Sequence, residues 1–284
     1  MDNLKTKIFL DSGDLAETRQ TLELLGFLDG QTTNPSLVAK NPQVAADLAK
    51  GKKFSREELL GFYQKLVKEL ARLIPDGSIS IEVYADAKTT AAEMAAQGRA
   101  MFAWINNAHI KLPITAAGLT AANQLVKEGV RVNLTLCFSQ EQAAAVHAAT
   151  LGARAGQVFV SPFIGRLDDK GLNGMALVKN IVKMYQSVES GVQVLAASLR
   201  HLDHLLCSLS LGADIITSPF KVIKQWQEAG LKLPDGDYQY SPALKAIDYL
   251  QLDLNKNWNE FNIRHDLTDA GLQKFAEDWN SLLN

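Results

Sequence analysis

The sequence has little cysteine, no excess of charge of one sign and no long hydrophobic run. Its 284 residues include two cysteines, Cys137 and Cys207, both in apolar surroundings, so a disulfide framework is not expected. The net charge of -2 provides no basic field for nucleic acid or for an anionic membrane. No apolar run approaches the ~18 residues of a membrane span, and the first residues lack the apolar core of a signal peptide. We therefore expect a cytoplasmic protein that binds neither nucleic acid nor membrane.

Motifs for common cofactors are also missing. No Gly-x-Gly-x-x-Gly sequence opens a helix, which removes the usual dinucleotide fingerprint, and the histidines and cysteines show no zinc spacing. His201 and His204 lie three residues apart on a predicted helix, where a packed or solvated pair is favoured over a metal site without further ligands. The pair Asp168 and Asp169 is interpreted as a solvated loop. We expect no metal and no cofactor.

What the sequence does contain is a regular alternation of apolar strand-like segments and helical patterns. Apolar strands with intervening helices predict a parallel sheet that is covered by helices. Eight such units predict an α/β fold, a (β/α)8 TIM barrel that forms one domain over residues 1–284. The predicted strands are 7–11, 30–36, 78–83, 109–115, 131–136, 157–161, 192–198 and 213–217.

Two segments depart from this alternation. Residues 36–76 contain a capping-box start at 55–58 and apolar residues at helical spacing, which predicts a helical insertion after strand 2. Beyond residue 220 we predict a turn at 234–237 and two further helical stretches, the last from 268 to 283. This C-terminal helical extension, about residues 226–284, is expected to pack outside the barrel or across one mouth.

The fourth predicted strand carries one lysine, Lys111, between apolar neighbours. A charged lysine is almost never fully buried without a partner. Burial disfavours the ammonium form, and a neutral amine is the nucleophile that carbonyl substrates need for Schiff-base chemistry. The alternative is a lysine at a strand end whose ammonium group reaches water.

Polar residues at the ends of the other strands favour the catalytic interpretation. Active sites of such barrels lie at the C-terminal ends of the strands. Any one polar residue there could be a helix cap, but a ring of them around Lys111 predicts a site. The ring consists of Asp11, Asn34, Glu82, Asn133, Thr135, Ser161, Ser198 and Arg200.

The chemistry of the residues nearest Lys111 is coherent. Lys111 can form an imine with a ketone, and Asp11 can take a proton from a substrate hydroxyl during carbon–carbon cleavage. Glu82 and Thr135 can hold a water and move protons while the carbinolamine forms and dehydrates. These residues predict Schiff-base cleavage of a hydroxylated ketone.

A second group of side chains suits a phosphorylated polyol. Asn34, Asn133 and Ser161 offer neutral hydrogen bonds to hydroxyl groups. A phosphate fits a forked clamp of guanidinium groups, since these bind it in bidentate geometry. The clamp would consist of Arg166 and Arg200 together with Ser198. We therefore expect sugar phosphates as binding partners.

From about residue 7 to residue 225 the sequence resembles the transaldolase family. The matching stretches are Phe9-Leu10-Asp11, Thr32-Thr33-Asn34-Pro35-Ser36-Leu37, Ile110-Lys111-Leu112, Asn133-Leu134-Thr135-Leu136-Cys137-Phe138-Ser139, Ser161-Pro162-Phe163-Ile164-Gly165-Arg166 and Ala197-Ser198-Leu199-Arg200. The resemblance implies a metal-free class I aldolase-like barrel in which the residues above have the same roles.

The activity that this resemblance implies is a transfer. The enzyme would move a dihydroxyacetone unit from a ketose phosphate (sedoheptulose 7-phosphate or fructose 6-phosphate) to an aldose phosphate (glyceraldehyde 3-phosphate or erythrose 4-phosphate). This reaction belongs to the non-oxidative pentose phosphate pathway.

The fructose-6-phosphate aldolase branch, which cleaves rather than transfers, is the alternative within the same family. It is similar to this chain at 111–115 and 165–169, but it typically has glutamine in place of Glu82 and tyrosine in place of Phe163. A phenol beside Asp11 could help a water complete cleavage, and a phenyl ring cannot, so both residues favour transfer. A lyase and a barrel that only binds sugar phosphates remain open alternatives, and the oligomeric state, including a homo-oligomer, is not fixed by the sequence.

Overall fold

The computed structural model describes residues 4–235, 238, 240 and 243–284. Within these residues, eight parallel strands close into a barrel in sequence order, and the last strand pairs with the first. The predicted (β/α)8 barrel is therefore confirmed. The strands are β1 (Lys7–Asp11), β2 (Gly30–Thr32), β3 (Ser78–Glu82), β4 (Ala108–Pro113), β5 (Val132–Cys137), β6 (Val158–Pro162), β7 (Val192–Ala196) and β8 (Ile215–Ser218).

Helices follow the strands and surround the barrel. Several begin at a polar side chain that accepts from a backbone N–H of the first turn, as Asp14, Thr90, Thr115, Ser139 and Asn173 do. The helices are α1 (Leu15–Leu25), α2 (Pro35–Ala39), α3 (Pro42–Ala49), α4 (Arg56–Leu73), α5 (Ala91–Phe102), α6 (Ala116–Lys127), α7 (Gln140–Ala149), α8 (Ile164–Asp168), α9 (Gly174–Gln186), α10 (Leu202–Ser210), α11 (Phe220–Glu228) and α12 (Asp266–Asn280). None of the described helices is both long and apolar enough to cross a membrane.

The helical segment after β2 divides into two parts. Helix α4 begins at the predicted capping box of Ser55 and Glu58 and buries Leu59, Leu66 and Leu70. Because it connects neighbouring parallel strands, α4 is the crossover helix of its own βα unit, and α2 and α3 are the additional helices. Strand β2 is shorter than predicted because Asn34 already caps α2 and Pro35 occupies its first position.

The barrel interior is layered. Side chains two residues apart on a strand point to the same face, so each inward-facing residue has another one layer above it. In the lower layer, His109 stacks on Phe159 with ring centroids 4.0 Å apart, and Phe9 meets Phe159 edge-on. Burial lowers the pKa of His109 to about 3, which favours the uncharged form of its ring. The layer above it contains Asp11 and Lys111, two residues further along β1 and β4.

The last helix of the C-terminal extension lies at one mouth of the barrel. The last predicted helical stretch is α12, which packs on α2 and on β5. In the other predicted stretch, the described residues contain only a 3-10 turn, Trp258–Glu260. The turn predicted at 234–237 lies partly outside the described residues.

Candidate active site

Lys111 lies at the centre of the C-terminal end of the barrel. It is 3% exposed and stands in register with Glu82 on β3 and Asn133 on β5. Its Nζ atom lies 3.0 Å from Glu82 Oε2 and donates to the backbone carbonyl of Thr33 at 3.4 Å. The amine is therefore buried with a carboxylate partner and does not extend into bulk water.

Of the two carboxyl groups in this layer, Glu82 is buried and Asp11 is half-buried at the cavity. Burial raises the pKa of Asp11, although the charge of Lys111 and a 2.7 Å hydrogen bond from Thr32 Oγ1 oppose this effect. Burial likewise raises the pKa of Glu82, and Lys111 is again the main opposing influence. A carboxyl group whose pKa is raised toward neutrality is suited to proton transfer.

Thr135 contributes a hydroxyl group to the same region. Its Oγ1 atom is buried and has no hydrogen-bond partner among the described residues. A buried hydroxyl group without a partner is costly in a folded protein. This atom therefore suits a role in binding a water molecule or a substrate oxygen.

The neutral hydrogen-bonding residues lie at two depths. Ser161 Oγ donates to Asn133 Oδ1 at 2.6 Å, and Asn133 Nδ2 donates to Ser80 Oγ at 3.1 Å, so Asn133 is fixed within the barrel. Asn34 Oδ1 accepts from the backbone N–H of Leu37 as the cap of α2, which leaves its Nδ2 atom for a ligand. Ser161 and Asn34 line the cavity directly.

The remaining predicted residues lie just after β6 and β7, with Arg166 in the short helix α8 and Ser198 and Arg200 in the loop after β7. The guanidinium carbon of Arg166 lies 5.4 Å from the ring centroid of Phe163 and equally far from that of Phe275. Arg200 is half exposed and donates to Asp169 Oδ2 at 2.8 Å. The backbone of Ser198 is left-handed, with φ at 60°, which is a strained conformation for serine.

These side chains surround one cavity of about 400 Å³ at the barrel mouth. Three predicted residues, Glu82, Asn133 and Thr135, do not line it. The predicted residues that line it are Asp11, Asn34, Lys111, Ser161, Phe163, Arg166, Ser198 and Arg200. The cavity thus has an amine and a carboxyl group on its floor and two guanidinium groups at its side.

Helix α12 supplies a wall of this cavity, and none of its residues there was predicted as a site residue. The ring of Phe275 lies 5.8 Å from Lys111 Nζ, and Lys274 and Asp278 also line the cavity, as do Ser36 and Lys40. The helical pattern of the tail predicted an amphipathic helix. It contained no signal for the surface on which this helix packs.

Tyr63 was also missed. Its hydroxyl group accepts from the backbone N–H of Glu82 at 3.0 Å and lies 2.5 Å from Thr33 Oγ1. It thereby links α4 to both residues that contact the Lys111 amine. In the sequence, Tyr63 belongs to the apolar stripe of α4 and has the pattern of a core residue.

The interpretation of Asp168 as part of a solvated loop was wrong. Asp168 ends α8, and its carboxylate accepts from His204 Nε2 at 2.8 Å and from Tyr240 Oη at 2.7 Å. Its neighbour Asp169 is exposed and pairs with Arg200. The two aspartates therefore differ because only Asp168 faces α10, where His204 is buried.

Comparison with known proteins gives one family. The model of the family described as Transaldolase/Fructose-6-phosphate aldolase matches residues 8–284. A "Probable transaldolase" from Dehalococcoides mccartyi is 36% identical over 276 residues, which cover 97% of this chain and 99% of that protein. Proteins of the same name from Anaeromyxobacter dehalogenans and Prosthecochloris aestuarii are 37% and 38% identical, with at least 96% of each chain covered.

Proposed function

This chain belongs to the transaldolase/fructose-6-phosphate aldolase family, and we propose that it is a transaldolase that works through a Schiff base at Lys111. The observation that carries the proposal is the buried Lys111 amine, 3.0 Å from Glu82, in a cavity that also contains Asp11 and two arginines. Membership in the family makes it a transaldolase-type enzyme. The substrates, the covalent intermediate and the residue roles below are our proposal.

The first step joins the donor to the lysine. Glu82 lies close enough to take a proton from the Lys111 side chain, which frees the amine to attack the C2 carbonyl of a ketose phosphate. The carbinolamine that forms loses its hydroxyl group as water, with the proton returned by Glu82, and leaves a protonated imine on Lys111. The unpaired Thr135 hydroxyl would bind the water that carries this proton.

The second step breaks the carbon–carbon bond. Asp11 takes the proton of the C4 hydroxyl, the C3–C4 electron pair moves toward the protonated imine, and the aldose phosphate leaves with a new aldehyde. The dihydroxyacetone unit stays on Lys111 as an enamine. An incoming aldehyde then accepts this electron pair at its carbonyl carbon, and its oxygen receives the proton from Asp11.

Transfer is favoured over cleavage by the walls around the amine. The rings of Phe163 and Phe275 lie 5.9 Å and 5.8 Å from Lys111 Nζ, and neither carries a hydroxyl group that could hold a water near the enamine. An enamine beside phenyl rings is protonated less readily than one beside a phenol that holds a water, so it survives until an aldehyde arrives. This observation supports transfer over the lyase alternative.

The phosphate end of the substrate is assigned to the loops after β6 and β7. Arg166 and Arg200 offer guanidinium groups on one side of the cavity, and Ser198 offers a hydroxyl group. The proposed donor ketoses and acceptor aldoses all carry a terminal phosphate. We therefore propose the non-oxidative pentose phosphate pathway and a cytoplasmic location for the activity.

A coupled assay of glyceraldehyde 3-phosphate release from fructose 6-phosphate tests the proposal. Release should require erythrose 4-phosphate, and sustained release without it would make the protein an aldolase. Borohydride treatment in the presence of the ketose should add the mass of the reduced adduct to the Lys111 peptide, and Lys111→Ala should abolish both the adduct and turnover. A protein that forms no adduct and has no turnover would be a sugar-phosphate-binding barrel without catalytic activity.

A further inference from the structure

Three groups form a chain of hydrogen bonds behind the cavity. The backbone N–H of Arg200 donates to His204 Nδ1 at 3.2 Å, and His204 Nε2 donates to Asp168 Oδ2 at 2.8 Å. The imidazole of His204 is 0% exposed and does not line the cavity. These hydrogen bonds run from the partly buried carboxylate of Asp168, through the ring of His204, to the backbone of a residue that lines the cavity.

The carboxylate at the start of this chain is firmly fixed. Asp168 Oδ1 accepts from the backbone N–H of Gly174 at 2.8 Å, and Oδ2 also accepts from Tyr240 Oη at 2.7 Å. Burial would raise the pKa of Asp168, but the hydrogen bonds from His204, Gly174 and Tyr240 lower it below its usual value. An ionised Asp168 can only accept, so it holds the proton of His204 on Nε2 and leaves Nδ1 as an acceptor.

The turn at the other end of the chain needs support. Ser198 has a φ of 60°, a conformation that costs about 1–3 kcal/mol for a residue other than glycine. The Ser198 carbonyl accepts from Gly165 N at 2.9 Å, and the Arg200 N–H is held by His204. A side chain at Gly165 would collide with the Ser198 carbonyl and with Arg200, so the two loops are in close contact. Residues 197–200 therefore keep their shape through contacts on both sides.

We propose that Asp168 and His204 are positioning residues for phosphate binding, because they fix the backbone of the 197–200 turn that presents Ser198 and Arg200 to the substrate. The inference rests on the proposed function only in assigning the phosphate to this turn. It predicts that these residues affect the binding of the phosphate group and leave the chemistry at Lys111 unchanged.

A metal ion is the competing explanation. One nitrogen or oxygen atom each from Asp168, His201 and His204 lie within 4.8 Å of one another. A metal bound to His204 Nε2 would require the proton to be on Nδ1, where the Arg200 N–H already points. Two donors would then face each other, so the observed geometry favours the hydrogen-bonded chain.

Two isosteric aspartate variants test the role of the carboxylate. Asp168→Asn replaces one carboxylate oxygen with an amide nitrogen. If this nitrogen faces His204, the ring is forced into the other tautomer, and if it faces Gly174, the hydrogen bond from the Gly174 N–H is lost. Asp203→Asn removes an equal charge from an exposed residue of α10 whose carboxylate does not pair with Arg200. The probe is glucitol 6-phosphate, which has no carbonyl and cannot react with Lys111. We expect Asp168→Asn to weaken its binding about tenfold in calorimetry, and Asp203→Asn to change it less than about twofold.

Two amide variants test the role of the ring. The oxygen of asparagine lies near the position of Nδ1, so His204→Asn keeps an acceptor for the Arg200 N–H. His204→Gln places its amide group near Nε2 and leaves the Arg200 N–H without an acceptor. Both variants shorten a buried side chain, so thermal unfolding should show similar stability losses. Only His204→Gln should weaken glucitol 6-phosphate binding about tenfold, and Asp168→Asn should have no further effect in the His204→Asn background.

Kinetics and metal analysis complete the test. With fructose 6-phosphate, Asp168→Asn and His204→Gln should raise KM and change kcat less than about threefold, and borohydride trapping of dihydroxyacetone on Lys111 should be unchanged. Equal losses in trapping and in phosphate binding would reduce Asp168 and His204 to structural residues and overturn the inference. So would an unaltered affinity for glucitol 6-phosphate, or stoichiometric zinc in the wild type that is lost in His204→Gln. If the wild type forms no adduct, the proposed function fails, and the calorimetry still decides this inference.

Discussion

Lys111 shares its buried site with two carboxyl groups. Only Glu82 is paired with it at 3.0 Å, and Asp11 has a hydrogen bond from Thr32 as its closest recorded polar contact. One ammonium group cannot fully compensate two carboxylates that have lost their water. The raised pKa values of Asp11 and Glu82 follow directly from this imbalance. The arrangement that suits proton transfer therefore has a cost in stability.

We expect Asp11→Asn to stabilise the fold while it abolishes most of the activity. The variant keeps the Oδ1 acceptor for Thr32 but removes a buried charge, and about 1–2 kcal/mol of added stability is expected at about pH 8. Turnover should fall at least about a hundredfold because an amide cannot take the C4 hydroxyl proton. Urea unfolding and the coupled assay measure the two effects.

The pH dependence of this difference has a defined sign. Because the pKa of Asp11 is raised in the folded protein, the folded state holds this proton more tightly than the unfolded state. The stability that Asp11 contributes is therefore largest below the ordinary pKa of an aspartate and is lost as pH rises through the raised value. The advantage of Asp11→Asn should be small near pH 4 and grow toward pH 8. An advantage that does not change with pH would show that Lys111 compensates the Asp11 carboxylate completely, and one that shrinks as pH rises would show that the pKa of Asp11 is lowered instead.

Among the elements, α12 joins the site through an irregularity in β5. The pairing of β5 with β6 shifts between Leu134 and Cys137, and Leu136 has a φ of 61°. The Leu136 carbonyl consequently accepts from Thr268 Oγ1 at 2.9 Å at the start of α12. A bulge at a barrel rim redirects a backbone group. Here it provides the attachment point for the helix that covers the cavity.

Gly271 tests how closely α12 must approach the cavity. A Cβ atom at this residue would lie 2.6 Å from Leu136 Cδ2 and 2.7 Å from Arg166 Nη1, so Gly271→Ala must displace the guanidinium group or the helix. We expect KM for fructose 6-phosphate to rise about five- to tenfold, a loss of about 1 kcal/mol in binding, with a smaller change in kcat.

The matched control is Gly61→Ala in α4. Gly61 also lies inside a helix, but apart from the adjoining residues and the backbone of α4 itself, no atom lies within 4 Å of the position that a Cβ would occupy. This variant should gain about 0.5–1 kcal/mol in unfolding free energy and have unchanged kinetics. Unchanged kinetics in both variants would mean that α12 does not hold Arg166 in place.

Local patterns in the sequence predicted much of this structure, and contacts between residues far apart in the sequence were not predicted. The barrel was predictable because each βα unit is a local pattern in the sequence. The residues around Lys111 were predictable because barrel sites lie at strand ends and because the family motifs contain these residues. The position of α12 was not predictable, since the contact of Thr268 with Leu136 joins residues 132 apart. The role of Asp168 was hidden for the same reason, because its partners His204 and Tyr240 are 36 and 72 residues away.

Over the whole molecule, the charges at the barrel mouth contrast with the overall balance. The net charge is -2, yet the cavity is lined by Lys40, Arg166, Arg200 and Lys274 in addition to Lys111, against the carboxyl groups of Asp11 and Asp278. A cleft with one sign of charge raises the local concentration of a ligand of the opposite sign. A phosphate dianion should therefore be attracted to this mouth by a protein that is weakly acidic as a whole.

This contrast predicts an effect of salt that is confined to phosphorylated substrates. The Debye length falls from about 30 Å at 0.01 M to about 10 Å at 0.1 M, so exposed charges such as Arg200 are increasingly screened. We expect KM for fructose 6-phosphate to rise about three- to fivefold between these ionic strengths in sodium chloride, with kcat unchanged. Borohydride trapping of uncharged dihydroxyacetone on Lys111 should not respond, because the pair of Lys111 and Glu82 is buried away from the salt. If trapping of dihydroxyacetone responds to salt as strongly as KM does, the salt acts on the fold or on Lys111 and not on phosphate attraction. If KM does not respond to salt, Lys40, Arg166, Arg200 and Lys274 act only in direct contact with the phosphate.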